Sequence, residues 1–242
     1  MSAIGAAWRD VAETLTPRRE GDGVLPPLMI VLTVVAGIVD AVAYLDLGRV
    51  FVANMTGNVV FLGFGAAGAG GLSVAGSLVA LACFLPGGIA AGRLAARLGT
   101  NRLYQLRAAT TIQLVLCAAA VTVAAIASQP LGAGARYALI ILLALAMGVQ
   151  NATARRLAVP DLPTTVLTQT LTGIASESRL GGGSGANTAR RTLSVAAMLV
   201  GATAGAVLTL EVAPVAPLAL AAALLAVVTG AAHIAAAQAV TP

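Results

Sequence analysis

Residues 28–58 of the chain read LMIVLTVVAGIVDAVAYLDLGRVFVANMTGN. The first part is an apolar run that holds one carboxylate, Asp40, well inside it. A second run then starts with a group of polar residues and a glycine between Asn54 and Asn58. A bilayer core of ~30 Å needs about 20 helical residues, and it offers no water to unpaired backbone groups. This stretch therefore predicts a membrane-crossing helix followed by a broken one.

The composition of the whole chain favours a membrane protein. Of the 242 residues, 59% are apolar and 10% are charged, whereas a soluble domain carries about 25% charged residues. The net charge of +5 comes from arginines, since the chain has no lysine. These arginines lie in short gaps between apolar runs, where they report membrane orientation. We therefore expect an all-α integral membrane protein with the lipid bilayer as its partner, and no binding to nucleic acid.

Eight apolar segments follow one another along the chain: 28–45, 50–67, 72–92, 108–128, 137–154, 164–176, 192–210 and 212–239. Two of them fit a crossing helix poorly. The segment 164–176 would span only about 20 Å at 1.5 Å per residue. The segment 50–67 is long enough, but polar residues and glycines interrupt it.

The fourteen arginines indicate whether these two segments cross the membrane. If all eight segments cross, the arginines divide seven to seven between the two sides. If both poor segments enter and return to the same side, only Arg49 and Arg136 lie outside and twelve are cytoplasmic. The positive-inside rule favours the second arrangement. We therefore predict six transmembrane helices plus two re-entrant helices, in the cytoplasmic (inner) membrane, with both termini in the cytoplasm.

A weak internal repeat agrees with this topology. Residues Gly37–Ala41 align with Gly148–Ala152 at an offset of 111, and Met55–Asn58 aligns with Leu167–Thr170 at an offset of 112. Three crossing helices in each half would place the second half upside down relative to the first. The prediction is thus two inverted repeats.

The chain then divides into three parts. Residues 1–27 are expected to be a cytoplasmic N-terminal segment, followed by a first membrane repeat at 28–128 and a second at 137–239. Residues 1–16 fit an amphipathic interfacial helix or a disordered tail equally well.

Asp40 is the only carboxylate well inside a predicted membrane span. An intramembrane carboxylate is costly, which favours a proton or cation site or a ligand anchor. The alternative is a structural aspartate that bonds the backbone amides of the re-entrant segment or pairs with Arg49. Tyr44, one turn further on, either hydrogen-bonds across Asp40 or belongs to an interfacial aromatic belt.

Polar residues of the two re-entrant segments complete the candidate site. In an inverted pair their N-termini would meet near the midplane, which favours an anion or a dipole. Otherwise these side chains only cap helices and hold the bundle together. Thr164, Thr168 and Thr172 share a face by their spacing, and Gln150 and Asn151 lie opposite Asp40 in the repeat. The candidate substrate-binding residues are Asp40, Tyr44, Asn54, Thr56, Asn58, Gln150, Asn151, Thr164, Thr168 and Gln169.

Other motifs in the sequence favour no chemistry. Cys83 and Cys117 lie in apolar runs without metal-ligand spacing, and His233 is the only histidine. The glycine-rich stretch 181–185 follows no predicted strand, so a linker explains it better than a phosphate loop. Neither GxSxG nor HExxH occurs. We expect no enzymatic activity, no cofactor and no metal site.

The stretch from Gly37 to Tyr44 and the stretch from Phe51 to Asn58 resemble the YoaK-like family of bacterial membrane proteins. The later stretches Gly148–Ala152 and Thr164–Gly173 are similar to that family too, so the likeness covers nearly the whole chain after residue 27. The resemblance implies a multi-spanning bacterial membrane protein. It transfers no catalytic or binding residue to this chain.

These observations lead to one functional hypothesis and one alternative. The first is a transporter or channel for a small polar or anionic solute, with Asp40 as the candidate partner for a coupling proton. The alternative is a non-transporting membrane scaffold or lipid-binding protein. Small-residue faces such as Gly87–Gly92 permit tight packing within one chain or in a homo-oligomer.

Overall fold

In the computed structural model the described residues are 23–162, 164–165, 167–178, 181–183 and 187–238, and all of their regular secondary structure is helical. The interfacial helix considered for residues 1–16 lies outside them. The helices in chain order are α1 (Leu25–Asp46), α2 (Met55–Ala66), α3 (Val74–Leu98), α4 (Arg102–Ile126), α5 (Ala133–Leu157), α6 (Leu167–Ser176), α7 (Thr188–Glu211) and α8 (Val215–Gln238).

Six of these helices have 22 to 25 residues and are apolar enough to cross a membrane. At 1.5 Å per residue such a helix exceeds the ~30 Å of a hydrocarbon core. The two remaining helices, α2 and α6, have 12 and 10 residues, which gives lengths of about 18 and 15 Å. The all-helical class and the six long apolar helices are therefore confirmed.

Several long helices extend beyond the predicted apolar segments. The segment predicted at 72–92 continues as helix to Leu98, and the segment predicted at 108–128 begins at Arg102. Arginines end the apolar run without ending the helix, because their long side chains can reach an interface from a helical backbone. Caps mark the true starts. The Oγ of Ser73 accepts from the N–H of Gly76 at 3.0 Å, and Oδ1 of Asn101 accepts from the N–H of Tyr104 at 3.1 Å.

Helices α1 and α5 form the centre of the bundle. Of their most apolar stretches, 67% and 61% of the residues are buried, against 22–39% for the other four long helices. Helix α1 packs mainly on α7 and also on α8, while α5 packs mainly on α3 and also on α4; α4 packs on α8. Outward-facing residues of the outer helices are large and apolar, such as Leu199 and Leu210, which suits contact with lipid chains.

Glycines allow the two main helix pairs to approach closely. A Cβ on Gly37 of α1 would lie 2.5 Å from the backbone oxygen of Met198 in α7, and a Cβ on Gly201 would meet the backbone of Val34. The α3–α5 pair uses the same device, because a Cβ on Gly148 would meet the backbone oxygen of Phe84. Small residues at crossings supply the close packing that helix association in lipid requires.

The residues that flank each short helix lie close to one another. A Cβ on Gly48, just after α1, would lie 3.3 Å from the Cβ of Ser73, just before α3. Asp161 precedes α6 and Glu177 follows it, yet both bind the guanidinium of Arg191, at 2.6 and 2.7 Å. The chain before each short helix therefore lies close to the chain after it.

Candidate functional site

A cavity of about 810 Å³ lies between α1, α2, α6 and α7. Helix α2 borders it with its first residues, and so does α6. Most of the lining residues are apolar or glycine. The polar residues of the wall are Asp40, Tyr44, Asn54, Thr56, Thr165 and Thr168. Within the described part of the chain, Asp40 is the only charged residue that lines this cavity.

Asp40 fixes the stretch of chain that leads into α2. Its Oδ1 accepts hydrogen bonds from the backbone N–H groups of Val52, at 2.8 Å, and Ala53, at 2.7 Å. Both donor residues are buried, so without this oxygen the two amides would lack a partner in the bundle. Of the roles considered for Asp40, the structure shows one directly, the bonds to backbone amides of the stretch that leads into α2. The half-buried carboxylate also borders the cavity.

Asn58 holds the same stretch from the other side. Its Oδ1 accepts from the N–H of Phe51 at 2.9 Å, and its Nδ2 donates to the Phe51 carbonyl at 2.6 Å. The side chain is fully buried and does not line the cavity. Asn58 thus bonds both backbone groups of Phe51, as a neighbouring strand would, and this fixes the position of the Phe51 ring.

Three aromatic rings cluster in the cavity wall. The ring centroids of Tyr44 and Phe51 lie 5.3 Å apart, and those of Phe51 and Phe61 lie 5.7 Å apart. Gly57 makes room for this cluster, since a Cβ there would lie 2.6 Å from the Phe51 ring. Tyr44 therefore packs on aromatic rings beside Asp40.

Asn151 plays the corresponding part in the second half of the chain. Its Oδ1 accepts from the hydroxyl of Thr165, two residues before α6, and its Nδ2 donates to the Met147 carbonyl at 3.0 Å. Gln150 lies away from the cavity instead. Its Nε2 donates to the carbonyl of Leu32 at 3.0 Å, and its Oε1 accepts from Gln113.

Two residues of the sixth predicted segment also lie away from the cavity. Helix α6 begins at Leu167, so Thr164 precedes it and does not share a helical face with Thr168. The physical reason is a left-handed backbone at Thr164, with φ of 61°. Gln169 faces a smaller cavity of about 250 Å³, which Arg155 and Asp161 also line.

The structure thus brings half of the ten candidate residues to one cavity: Asp40, Tyr44, Asn54, Thr56 and Thr168. The others, Asn58, Gln150, Asn151, Thr164 and Gln169, lie behind its wall or elsewhere. Asn58 and Asn151 hydrogen-bond the segments that lead into α2 and α6.

Sequence reasoning missed several residues of this region. Phe51 and Phe61 lie on either side of the polar residues at the start of α2. Because only 3% of the residues in the chain are aromatic, two of them so close together in sequence were a signal for this region. Met198, Ala202 and Ala206 contribute a wall from α7; their four-residue spacing marks one helical face, but nothing in it points to a cavity.

Arg191 contacts α6 on the side that carries Gly173. Its side chain is 8% exposed, bonds Asp161 and Glu177, and crosses over Gly173 so closely that a Cβ there would lie 2.7 Å from its Cζ. The sequence identified Arg191 only as a cytoplasmic charge.

Comparison with known proteins agrees with this architecture. The chain is 37% identical, over 150 residues, to the UPF0700 transmembrane protein YoaK of Bacillus subtilis (strain 168). The alignment covers 62% of this chain and 65% of that relative, so it spans less than two thirds of the relative's length. No solved structure matches the chain. The profile of the family described as "Protein of unknown function (DUF1275)" matches residues 28–231, and the chain belongs to that family.

Proposed function

We propose that the chain is a transporter or channel for a small-molecule solute, which binds in the cavity between α1, α2, α6 and α7. The observation that carries the proposal is that both short helices begin at this cavity, which Asp40 also lines. Paired broken helices around a midplane site recur in secondary transporters. The proposal contains no catalytic step.

The return of the chain to its starting end supports re-entrant short helices. Gly48 lies next to Ser73 across α2, and Arg191 joins Asp161 to Glu177 across α6. Neither helix is long enough to cross a bilayer core. With two re-entrant helices, the arginine distribution supports an inner-membrane protein with both termini in the cytoplasm.

The pairing of helices supports two inverted repeats. Helix α1 packs on α7 just as α5 packs on α3, and the short helix of each half packs on the next long one. Gly37 and Gly148, which align in sequence, both lie at these crossings. A structure with two related halves can expose one central site to either side by moving one half against the other.

The wall of the cavity favours a neutral or positively charged solute over an anion. Asp40 is its only charged residue within the described part of the chain, and the backbone amides of Val52 and Ala53 already bond that carboxylate. An anion would therefore meet a negative charge without a basic side chain to offset it. Asp40 is also the residue that we propose for proton coupling, since a carboxylate at membrane depth can exchange a proton with a passing solute.

The test is uptake by purified protein in liposomes, with a proton gradient and a panel of amines, amino acids, sugars and carboxylates. We expect at least one solute to enter faster than into empty liposomes. Asp40→Asn should abolish the effect of the proton gradient, while Asp46→Asn should not, because Asp46 lies on the same helix outside the cavity wall.

The alternative, a scaffold or lipid-binding protein, has one observation in its favour, which is the largely apolar wall of the cavity. It predicts no uptake of any solute and no reaction of Asp40 with a carbodiimide. If both results are found, the transport proposal is wrong.

A further inference from the structure

Among the residues that the structure describes, no basic side chain lines the cavity beside Asp40. Backbone N–H groups of the stretch that leads into α2 stabilise the carboxylate, with Val52 and Ala53 donating to its Oδ1 and Asn54 also nearby; the start of α2 adds the positive end of a short helix. Neither carries a full positive charge. A carboxylate offers about four lone-pair sites, so these contacts leave acceptor capacity for a ligand. A ligand with a positive charge would supply the partner that the described wall lacks.

The remainder of the wall is unsuited to a small hydrated ion. Tyr44, Phe51 and Phe61 all line the cavity as one cluster, and leucine, valine and methionine side chains line much of the rest. Aromatic rings attract cations through their quadrupole, and this attraction is the usual means of recognising quaternary ammonium groups. Apolar side chains gain from contact with the alkyl or aryl substituents of such a ligand.

The volume of about 810 Å³ also exceeds what a metal ion or a single small amine would fill. Drug-sized molecules occupy cavities of ~300–1,000 Å³. Charge, wall chemistry and size thus agree on one class of ligand.

We propose that this cavity binds a bulky organic cation, a substituted ammonium or a similar onium ion, with its charge near Asp40 and its apolar groups against the aromatic cluster. The inference rests on the proposed function in taking this cavity as the solute site. It names the substrate class of that site.

The experiment measures binding of radiolabelled tetraphenylphosphonium to the purified full chain in detergent. Tetraphenylborate, an anion of nearly the same shape, serves as the control ligand. Asp40→Asn keeps an Oδ1 that can accept from Val52 and Ala53, so it removes the charge and preserves the segment. Asp46→Asn is the matched charge control. Phe61→Leu tests the aromatic cluster, and Phe64→Leu is its control, because Phe64 lies on the same helix outside the cavity wall.

We expect wild type to bind the phosphonium and Asp40→Asn to bind it roughly tenfold more weakly or worse, since loss of a desolvated charge contact is worth at least 1.4 kcal/mol. Phe61→Leu should weaken binding about 2- to 10-fold. Both control variants should bind like wild type. The inference is wrong if wild type binds no more phosphonium than Asp40→Asn does, or if it binds the borate equally well.

A second measurement covers the case in which Asp40→Asn fails to fold. Carbodiimide should modify Asp40 in wild type, and tetraphenylphosphonium should protect it while tetraphenylborate does not. Absence of protection by the phosphonium would refute the site.

Binding and transport can fail separately. Phosphonium binding without uptake of any solute would overturn the transport proposal and keep the cation site. Uptake of a neutral solute without phosphonium binding would overturn the cation site and keep the transport proposal.

Discussion

Asp40 and Asn151 lie at aligned positions of the two halves, and each uses its Oδ1 to hold the segment that leads into a short helix. Asp40 accepts from the backbone N–H groups of Val52 and Ala53, while Asn151 accepts from the hydroxyl of Thr165. The two side chains are nearly the same size, and only one is charged. The shared oxygen explains the structural role, and the extra charge of Asp40 is the feature on which the proposed cation site depends.

Replacing Asp40 by alanine should therefore destabilise the fold far more than replacing it by asparagine. Alanine leaves the buried amides of Val52 and Ala53 without an acceptor, at a cost of about 1–3 kcal/mol each. Asparagine keeps the acceptor and should unfold close to wild type. Thermal unfolding in detergent, followed by circular dichroism, measures the difference. Equal stability of the two variants would contradict this role for Oδ1.

Gly37→Ala should separate α1 from α7. Its Cβ would lie 2.5 Å from the Met198 backbone oxygen, and a backbone atom cannot move aside as a flexible side chain can. We expect a loss of about 1–3 kcal/mol, as for other overpacked contacts. Gly92→Ala is the control, because nothing lies within 4 Å of a Cβ there. That variant should be neutral or more stable by about 0.5–1 kcal/mol, since alanine favours helix. The account of this crossing fails if both variants unfold alike.

Arg191→Gln should loosen α6. Helices shorter than about 12 residues are marginal alone, and α6 has 10 residues, so its order depends on contacts such as those of Arg191 with Asp161 and Glu177. Hydrogen exchange of the amides in α6 should become roughly tenfold faster or more. The control is Arg93→Gln, which removes an exposed arginine from α3. Unchanged exchange in α6 would show that other contacts order it.

Much of the membrane architecture follows from the sequence alone. The apolar runs predicted the six long helices, because a bilayer imposes one length and one composition on every crossing segment. The helix ends were less predictable. A composition change at Arg93 or Arg102 marks where the chain leaves the apolar region, whereas the helix ends where its backbone changes direction or is capped.

Half of the polar residues predicted for the candidate site line the cavity, whereas most of its apolar wall was not predicted. Asp40, Asn54 and Thr56 stand out because polar groups are rare in an apolar chain. Phe61 and Ala202 are ordinary residues for a membrane helix, and only the tertiary contacts bring them to the cavity. Gln150 shows the opposite case, since it is polar and intramembrane but bonds Leu32 and Gln113 within the bundle.

The most direct test of the account is the side of the membrane that each short helix returns to. Position 69 follows α2, position 176 is the last residue of α6, and both are exposed. The two test variants are Ala69→Cys and Ser176→Cys. Each would be made with Cys83 and Cys117 replaced by alanine, and labelled by a membrane-impermeant thiol reagent. In intact cells the account predicts labelling at position 69, and labelling at position 176 only after the cells are opened. Labelling of both positions from the same side would mean that one or both short helices do not return as proposed, and it would remove the basis for a shared central site.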